Sequence, residues 1–298
     1  MHYKLILLLI SFTFISCKSD FKKKKVVKTK HYELTIAPHS KATLILFPCF
    51  PCDIEHTKSE AKFLKDLDKE GISTLLMDFN QKLYLSEAEK KTYSQMLNQI
   101  FNKNQLDKNH IYMGGFSSGG NISFILSNYL IATKNALKPE GVFAVDSPLD
   151  VERLYQNAKI DLKRNINNEA IEEGKFIIQL LEEELGKPEQ NIAKYENSSP
   201  YTISTHATNN IFHLKDIKTR FYYEPALAYH KKDSGREYEE LNAYQLAQTH
   251  KALENLGSKN SECISTKNRG YRADGTRNPH TWNLVERQDL INWILDRK

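Results

Sequence analysis

Short apolar runs alternate with longer amphipathic segments along most of this 298-residue chain. The runs are rich in β-branched and aromatic residues, as in strands, and the longer segments have the apolar spacing of helices. Seven runs are predicted as strands: HYELTIA, ATLILF, STLLMDF, HIYMGG, GVFAVD, IKTRFYYE and SECISTK. Such apolar runs, alternating with helices, predict an α/β fold with a mainly parallel, doubly wound sheet that is covered on both faces.

Five segments between or after these runs are predicted as helices. One of them opens at Ser86 with Glu89 in capping-box register, and another is predicted to end at Gly71. The five segments are SEAKFLKDLDKEG, SEAEKKTYSQMLNQIFNK, GGNISFILSNYLIATKNAL, REYEELNAYQLAQTHKALENLG and LVERQDLINWILDRK. Between about 150 and 200 the alternation gives way to polar helical sequence, which predicts a helical insert that acts as a lid or as a solvated cap.

The first residues have the layout of an export signal. A short basic start is followed by an apolar run over 5–15, which is shorter than the roughly 20 residues that a membrane-spanning helix needs. The stretch FISC resembles a bacterial lipoprotein lipobox, in which Cys17 becomes the lipidated first residue. This resemblance implies a signal peptide over 1–16 and a bacterial protein that is exported and lipid-anchored to the cell envelope, facing the periplasm or the exterior.

Most of the positive charge lies close to this signal. The chain carries a net charge of +5, but residues 1–30 contain eight lysines and one aspartate, so the remainder carries −2. The Lys-rich stretch has three interpretations: a nucleic-acid arm, a membrane-surface patch or a flexible linker. Because export argues against nucleic acid, we predict a tether over 17–30 and one folded domain over 31–298.

The candidate nucleophile lies where the strand HIYM runs into GGFSSGG. Gly115 to Gly119 match G-x-S-x-G, and the strand-to-helix context is the one that a nucleophile elbow requires. In such a turn, Ser117 projects from the carboxyl end of the strand, beside the positive end of the following helix. A Gly/Ser-rich turn without chemistry, or a phosphate-binding loop, is the alternative interpretation.

A serine nucleophile needs a base, which we expect later in the chain. Of ten histidines, His280 stands in RADGTRNPHTWNL, a Gly/Pro/Asn-rich loop between the last predicted strand and the last helix. His206, His213, His230 and His250 fall in loop or helix contexts without such a position. His280 is therefore the candidate general base, and a surface loop histidine is the alternative.

Ser117 in GGFSSGG and His280 in PHTW, in that chain order, resemble the α/β-hydrolase superfamily from about Lys41 to the C-terminus. The resemblance implies an α/β-hydrolase fold and an acyl hydrolase without metal or organic cofactor. It also implies an acid after the strand that follows the insert, where Glu224 ends a predicted strand. Asp146, at the end of the preceding strand, is the alternative acid.

The stretch LILFPCFPCD places Cys49 and Cys52 in a C-x-x-C. The resemblance assigns this loop to the oxyanion hole, with the backbone N–H of Phe50, helped by Cys49, joining that of Ser118. A Cys49–Cys52 disulfide fits an exported protein and would rigidify the loop. Zinc and thioredoxin-like chemistry are disfavoured, because Cys263 is the only other cysteine after Cys17 and no second C-x-x-C exists.

Four aromatic residues near these loops are candidates for the substrate pocket, although aromatic residues in strands more often belong to a core: Phe116, Tyr222, Tyr223 and Trp282. The predicted function is hydrolysis of carboxylic esters through an acyl-enzyme on Ser117. A serine peptidase and an inactive, surface-anchored binding lipoprotein remain as alternatives. The expected partners are a small-molecule ester or peptide and, through the lipid, a membrane.

Overall fold

The computed structural model describes residues 23–78 and 82–297. The described strands are β1 (Lys25–Lys28), β2 (Tyr32–Ile36), β3 (Ala42–Phe47), β4 (Ile72–Met77), β5 (Ile111–Phe116), β6 (Pro139–Val145), β7 (Lys218–Tyr223) and β8 (Ser261–Ser265). The described α-helices are α1 (Ile54–Glu60), α2 (Glu87–Asn104), α3 (Ser118–Ala132), α4 (Val151–Arg164), α5 (Asn168–Glu184), α6 (Pro188–Ser198), α7 (Leu227–Asp233), α8 (Asn242–Asn255) and α9 (Arg287–Leu295). Strands and helices alternate from β3 onward, with successive helices after β6 and after β7.

The strands form one sheet in the order β1-β2-β4-β3-β5-β6-β7-β8. β2 pairs antiparallel with β1 and β4, whereas the pairings from β4 across to β8 are parallel. The strand order reverses at β3, so the sheet is doubly wound. The mainly parallel α/β sheet predicted from the sequence is therefore confirmed. Because parallel strands point the same way, the carboxyl ends of β3, β5, β6 and β7 meet at one edge, where such folds bind ligands.

Side chains of β3 show why this sheet has continuous apolar strands. Leu44 and Leu46 pack into the core on one face, and Ile45 and Phe47 pack into the core on the other. Each of the four is at most 1% exposed. Successive residues of a strand point to opposite faces, so a strand buried on both faces is apolar at every position.

The insert consists of α4, α5 and α6, which have a small core of their own that includes Tyr155, Leu181 and Tyr195. Asp150 caps α4: its carboxylate accepts the backbone N–H of Arg153 at 3.0 Å and that of Ile203 at 2.7 Å. One buried carboxylate thus ties the start of the insert to the chain that leaves it. The segment over 150–200 is helical, as predicted.

The stretch SEAKFLKDLDKEG differs from its prediction as one helix. α1 starts earlier, where the Asp53 side chain accepts the backbone N–H of His56, and ends at Glu60. Two 3₁₀ turns follow, over Lys62–Leu64 and Leu67–Glu70. The single-helix prediction is wrong because Ala61 leaves the helical region, with ψ at 82°. The predicted end at Gly71 agrees with its φ of +83°.

The predicted tether over 17–30 is described only from residue 23, and Lys25–Lys28 form the edge strand β1. Val27 is half-buried and packs against the core beside β2, so this portion is an edge strand and not a free linker. The predicted signal peptide and Cys17 lie outside the described residues. Among the described residues, no helix combines the length and apolar character needed to cross a membrane.

Candidate active site

Ser117 occupies the turn between β5 and α3 with φ of 54° and ψ of −128°. A residue with a Cβ rarely adopts this conformation, and such strain is concentrated at functional sites. The Ser117 backbone N–H donates to the Val145 carbonyl at 3.0 Å, which anchors the turn to β6. The Ser117 side chain is partly exposed and lines a cavity. This is the geometry of a nucleophile elbow.

Gly115 and Gly119 permit the close approach that the turn requires. A Cβ on Gly115 would lie 2.0 Å from the Gly119 backbone, and a Cβ on Gly119 would lie 2.2 Å from the Phe47 carbonyl oxygen. Backbone atoms this close leave no room for a side chain. The two glycines therefore bring β5, the start of α3 and the loop after β3 together.

His280 reaches this turn from the loop between β8 and α9. Its Nδ1 lies 2.6 Å from Oδ2 of Asp146, which follows β6. An ionised carboxylate only accepts hydrogen bonds, so Nδ1 is the protonated nitrogen and Nε2 of the neutral ring is an acceptor. Ser117, His280 and Asp146 all line the same cavity. The arrangement presents a serine hydroxyl, an imidazole base and an orienting carboxylate together.

Backbone contacts hold Asp146 in place. Its φ is 40°, its N–H donates to the Tyr222 carbonyl at 2.8 Å, and its own carbonyl accepts the Nδ2–H of Asn242 at 3.0 Å. Asp146 is thus fixed between β7 and α8 as the chain leaves β6. A fixed carboxylate selects one tautomer and one orientation of the histidine ring.

The His280 ring packs against Phe116, the residue before the serine, with 4.4 Å between ring centroids. The His280 backbone N–H donates to the Asn278 side chain at 2.9 Å. Phe116 is 5% exposed and also packs against Trp282. A rigid aromatic surface under the imidazole thus links the position of the base to that of the nucleophile turn.

Glu224 does not contact His280, so its prediction as the partner of His280 is wrong. Its carboxylate accepts the backbone N–H groups of Asn268, Arg269 and Gly270 at 2.7–3.0 Å, and it forms an ion pair with Arg277 at 2.5 Å. Burial opposes ionisation of Glu224, but these donors outweigh it and lower the pKa. Glu224 therefore shapes the loop that carries His280, whereas Asp146, the alternative, holds the ring.

The loop after β3 is closed by a disulfide between Cys49 and Cys52. The Cys52 N–H donates to the Cys49 carbonyl at 2.9 Å, which tightens the same turn. Within the described residues, the backbone N–H groups of Phe50 and Ser118 donate to no protein acceptor. Backbone donors without a protein acceptor are what an oxyanion hole requires. The loop after β3 also lies against the start of α3, because Gly119 is close to the carbonyl oxygens of Phe47 and Pro48.

Cys49, Cys52 and His56 lie close enough together that their ligand atoms fall within 4.8 Å of one another. The Cys49 sulfur is 3.8 Å from Nδ1 of His56. Metal binding by cysteine needs the thiolate, and both sulfurs are in the disulfide. In this oxidised form the group therefore offers only one ligand, the imidazole of His56.

The four aromatic residues predicted for the substrate pocket belong to the protein core. Tyr222 and Trp282 are fully buried, Phe116 is 5% exposed, and Tyr223 is 8% exposed. None of them is among the residues that line the described cavity. The prediction is wrong because β5 and β7 are covered on both faces, so their aromatic side chains point into the two cores.

The cavity above Ser117 measures about 260 Å³ and is partly roofed by the insert. Asn157 of α4 and Glu173 and Ile177 of α5 line it, together with residues of α7. Phe176 of α5 stacks on Phe50 of the oxyanion loop, with 5.4 Å between ring centroids. The insert thus touches the loop that is predicted to stabilise the transition state, which is the position of a lid.

The structure is similar over nearly its whole length to solved structures, several of which are esterases. It superposes on carboxyl esterase 2 of Tuber melanosporum with a TM-score of 0.56, at 15% identity over 94% of this chain and 88% of that chain. MPT51 of Mycobacterium tuberculosis superposes with a TM-score of 0.57, at 11% identity over 92% of this chain and 97% of that chain. An S-formylglutathione hydrolase of Agrobacterium tumefaciens superposes with a TM-score of 0.54, at 9% identity over 92% of this chain and 94% of that chain. The chain has an α/β-hydrolase fold. No protein-family model matches the sequence, and no curated protein matches it either.

In an α/β-hydrolase fold the nucleophile, the acid and the histidine follow one another along the chain. Ser117, Asp146 and His280 have this order. Asp146 follows β6, which pairs directly with β5, so the carboxylate and the serine come from neighbouring strands of the sheet. The carboxylate that contacts His280 therefore lies one strand earlier than the resemblance implied for the acid.

His230 of α7 also lines the cavity. Burial lowers its pKa, although the nearby charge of Asp146 acts in the opposite direction, so the ring is neutral at neutral pH. The sequence placed His230 among the histidines without a functional position. Its presence at the site depends on how α7 folds back over the sheet edge after β7, and no local pattern signals that.

Proposed function

We propose that the protein is a serine hydrolase that cleaves carboxylic esters through an acyl-enzyme on Ser117. One observation carries the proposal: Ser117 in a strained elbow shares a cavity with His280, whose Nδ1 is held 2.6 Å from Asp146. The structural likeness to esterases supports the same reaction class, but the fold alone hosts many activities, so the site has to carry the argument.

In the first step the Ser117 hydroxyl oxygen attacks the ester carbonyl carbon, and its proton passes to Nε2 of His280. The carbonyl π electrons move to the oxygen, which gives a tetrahedral oxyanion. Asp146 keeps Nδ1 protonated and stabilises the imidazolium that forms. A serine hydroxyl is a poor nucleophile without this base, so the pair determines the rate of attack.

The oxyanion accepts hydrogen bonds from the backbone N–H groups of Phe50 and Ser118, which are free in the described structure. Such a donor contributes about 3 kcal/mol to transition-state stabilisation. Collapse of the intermediate breaks the bond to the alcohol oxygen, which takes the proton from His280. Water then attacks the acyl-Ser117 ester with His280 again as base, and the acid is released while Ser117 regains its proton.

A serine-directed fluorophosphonate probe and a panel of short acyl esters and peptides test the proposal together. The wild type should be labelled and should hydrolyse esters, whereas Ser117→Ala should lose both properties. Ser118→Ala is the matched control, because the Ser118 hydroxyl is buried without a partner and alanine keeps the backbone N–H. Full activity in Ser117→Ala would overturn the proposal.

The other outcomes of the panel separate the two alternatives. Cleavage of peptides in preference to esters would assign a peptidase. An unlabelled wild type that turns over no substrate would favour a binding protein with a hydrolase fold.

We also propose that the protein is exported and held at the bacterial cell envelope by lipid on Cys17, with the site facing away from the cytoplasm. The signal-like start and FISC support this location. The Cys49–Cys52 disulfide supports it independently, because structural disulfides persist in oxidising compartments.

A further inference from the structure

The cavity above Ser117 is strongly acidic. Seven of the residues that line it are aspartate or glutamate, one is arginine and none is lysine. Charged groups that line a cleft focus the field there and favour a ligand of opposite sign. The composition of the lining therefore bears on the charge of the substrate.

Four of these carboxylates already have cationic or histidine partners. Asp146 holds His280, and Glu224 pairs with Arg277. The other two, Asp161 and Glu240, belong to one network of ion pairs at the base of the insert. In this network, Asp161 pairs with Arg236 at 2.5 Å, and Arg164 bridges Asp161 and Glu240. The three carboxylates with arginine partners are neutralised locally and add little net field at the mouth of the cavity, whereas the partner of Asp146 is a neutral imidazole.

The remaining three carboxylates form what we call the acidic wall: Glu169, Glu173 and Asp233. Within the described part of the chain, none of the three forms an ion pair, and all three are exposed to solvent. Glu169 and Glu173 are four positions apart on α5 and so share one face of that helix, and Asp233 ends α7. Two elements thus contribute carboxylates without an ion-pair partner to the same cavity.

A second, independent feature of the cavity is a buried acceptor without a donor. Asn157 lines the cavity and is 6% exposed, and its Nδ2–H donates to the Glu240 carbonyl at 2.8 Å. Its Oδ1 receives no hydrogen bond from any described residue. A buried acceptor left unpaired is destabilising, because it has lost its hydrogen bonds to water. A ligand group that donates N–H bonds would remove this cost and would also suit the carboxylates.

We infer that the substrate is an ester that carries an ammonium or guanidinium group, which the acidic wall attracts while Ser117 attacks the ester carbonyl. The inference rests on the proposed serine hydrolase function and adds the charge of the substrate to it. The insert and α7 together supply the cation site, and the sheet edge supplies the chemistry. The insert then selects substrates by their charge in addition to covering the site.

Matched pairs of esters test the inference, with the charge placed on either side of the scissile bond. One pair is the methyl ester of Nα-acetyllysine and its analogue with a methyl in place of the ammonium; the other is aminopentyl acetate and hexyl acetate. In at least one pair, kcat/KM for the charged ester should be higher by about tenfold. This preference should shrink as salt is raised, because exposed carboxylates are screened.

Charge-neutralising variants test whether the acidic wall causes the preference for the charged ester. Glu173→Gln and Asp233→Asn should each lower the ratio of charged to neutral kcat/KM, and the double variant should lower it further. Glu183→Gln removes the same charge from α5 at a position outside the cavity lining, so the ratio should stay at the wild-type value.

Two results would overturn the inference in distinguishable ways. Equal kcat/KM within both pairs, in an enzyme that hydrolyses them, would remove the cationic substrate but leave the serine hydrolase. No turnover of any ester, with no fluorophosphonate labelling of Ser117, would remove the proposed function and this inference with it.

Discussion

Asp146 accepts the Nδ1–H of His280 at 2.6 Å, although 134 positions of the chain separate the two residues. The Asp146 side chain is 11% exposed and the His280 side chain 36%. The carboxylate is therefore shielded from water, while the ring still reaches the cavity in which Ser117 lies. In the proposed mechanism, this contact orients His280 as the general base.

The first prediction is that Asp146→Asn lowers kcat for ester hydrolysis by about three to four orders of magnitude. A neutral amide no longer stabilises the imidazolium and can hold the ring in the wrong tautomer. Steady-state kinetics on a short acyl ester measure the change, and circular dichroism checks that the variant is folded. Turnover within a few-fold of the wild type would show that His280 does not depend on Asp146.

Glu224→Gln is the matched comparison, because Glu224 lines the same cavity but binds the loop over 268–270. Glutamine replaces one carboxylate oxygen by an NH₂ group, which faces backbone donors. The free energy of unfolding should fall by about 1–3 kcal/mol, and kcat should fall far less than in Asp146→Asn. Urea unfolding and kinetics on the same samples separate the two effects.

The sequence selects Ser117 and His280 as candidates because their signals are local. A G-x-S-x-G between an apolar strand and a helix, and a histidine in a loop before the last helix, are visible in short windows. The acid was ambiguous because Asp146 and Glu224 both end apolar strands. Which of them meets His280 depends on the backbone donors at 268–270 that engage Glu224, and these follow β8, far along the chain.

Local sequence patterns predicted neither the burial of the aromatic side chains nor the position of the acidic wall in the cavity. Phe116 and Tyr222 stand at strand ends beside the site, but the sheet is covered on both faces and both side chains are in the core. Glu173 is one of many exposed glutamates of α5, and its place in the cavity follows from how the insert folds over β5 and β6. Long-range packing decides both cases, and hydrophobic periodicity does not encode it.

The disulfide leads to a second prediction. Phe50 lies between Cys49 and Cys52, so the bond limits where its backbone N–H points. Cys49→Ser with Cys52→Ser should lower kcat by about tenfold with a smaller change in KM, because an oxyanion donor acts mainly in the transition state.

Treatment of the wild type with a thiol reductant should reproduce the kinetic change of the double variant. Cys263→Ser is the control: Cys263 is free, and burial raises the pKa of its thiol to about 11, so it is unreactive at neutral pH. An equal loss of kcat in Cys263→Ser would disconnect the effect from the oxyanion loop.

The third prediction concerns Cys17, which lies outside the described residues. Metabolic labelling with a fatty-acid analogue should tag the wild type and should miss Cys17→Ala, because the lipid is expected on that sulfur. Cys263→Ala is the control and should remain labelled. Label on the Cys17 variant, or a mature protein that still begins at Met1, would contradict the lipid anchor.

The last prediction uses Asp150, which joins the two ends of the insert. Burial raises the pKa of Asp150 to about 6, even though backbone donors such as Ile203 act in the opposite direction. Since the folded pKa lies above the unfolded value of 3.8, the contribution of this group to stability is fully present below pH 3.8. It is lost as the pH rises through about 6.

A shift of this size corresponds to about 3 kcal/mol of unfolding free energy lost between pH 4 and pH 7. Asp150→Asn has no proton to lose there, so its free energy of unfolding should fall less steeply over this range than that of the wild type. It should do so even if the lost hydrogen bonds to Arg153 and Ile203 make the variant less stable at every pH. Urea unfolding at several pH values measures the free energy of unfolding of the wild type and of the variant, provided that the m values stay unchanged. If the two free energies change with pH in parallel, Asp150 ionises as easily in the folded protein as in the unfolded chain, and the prediction is wrong.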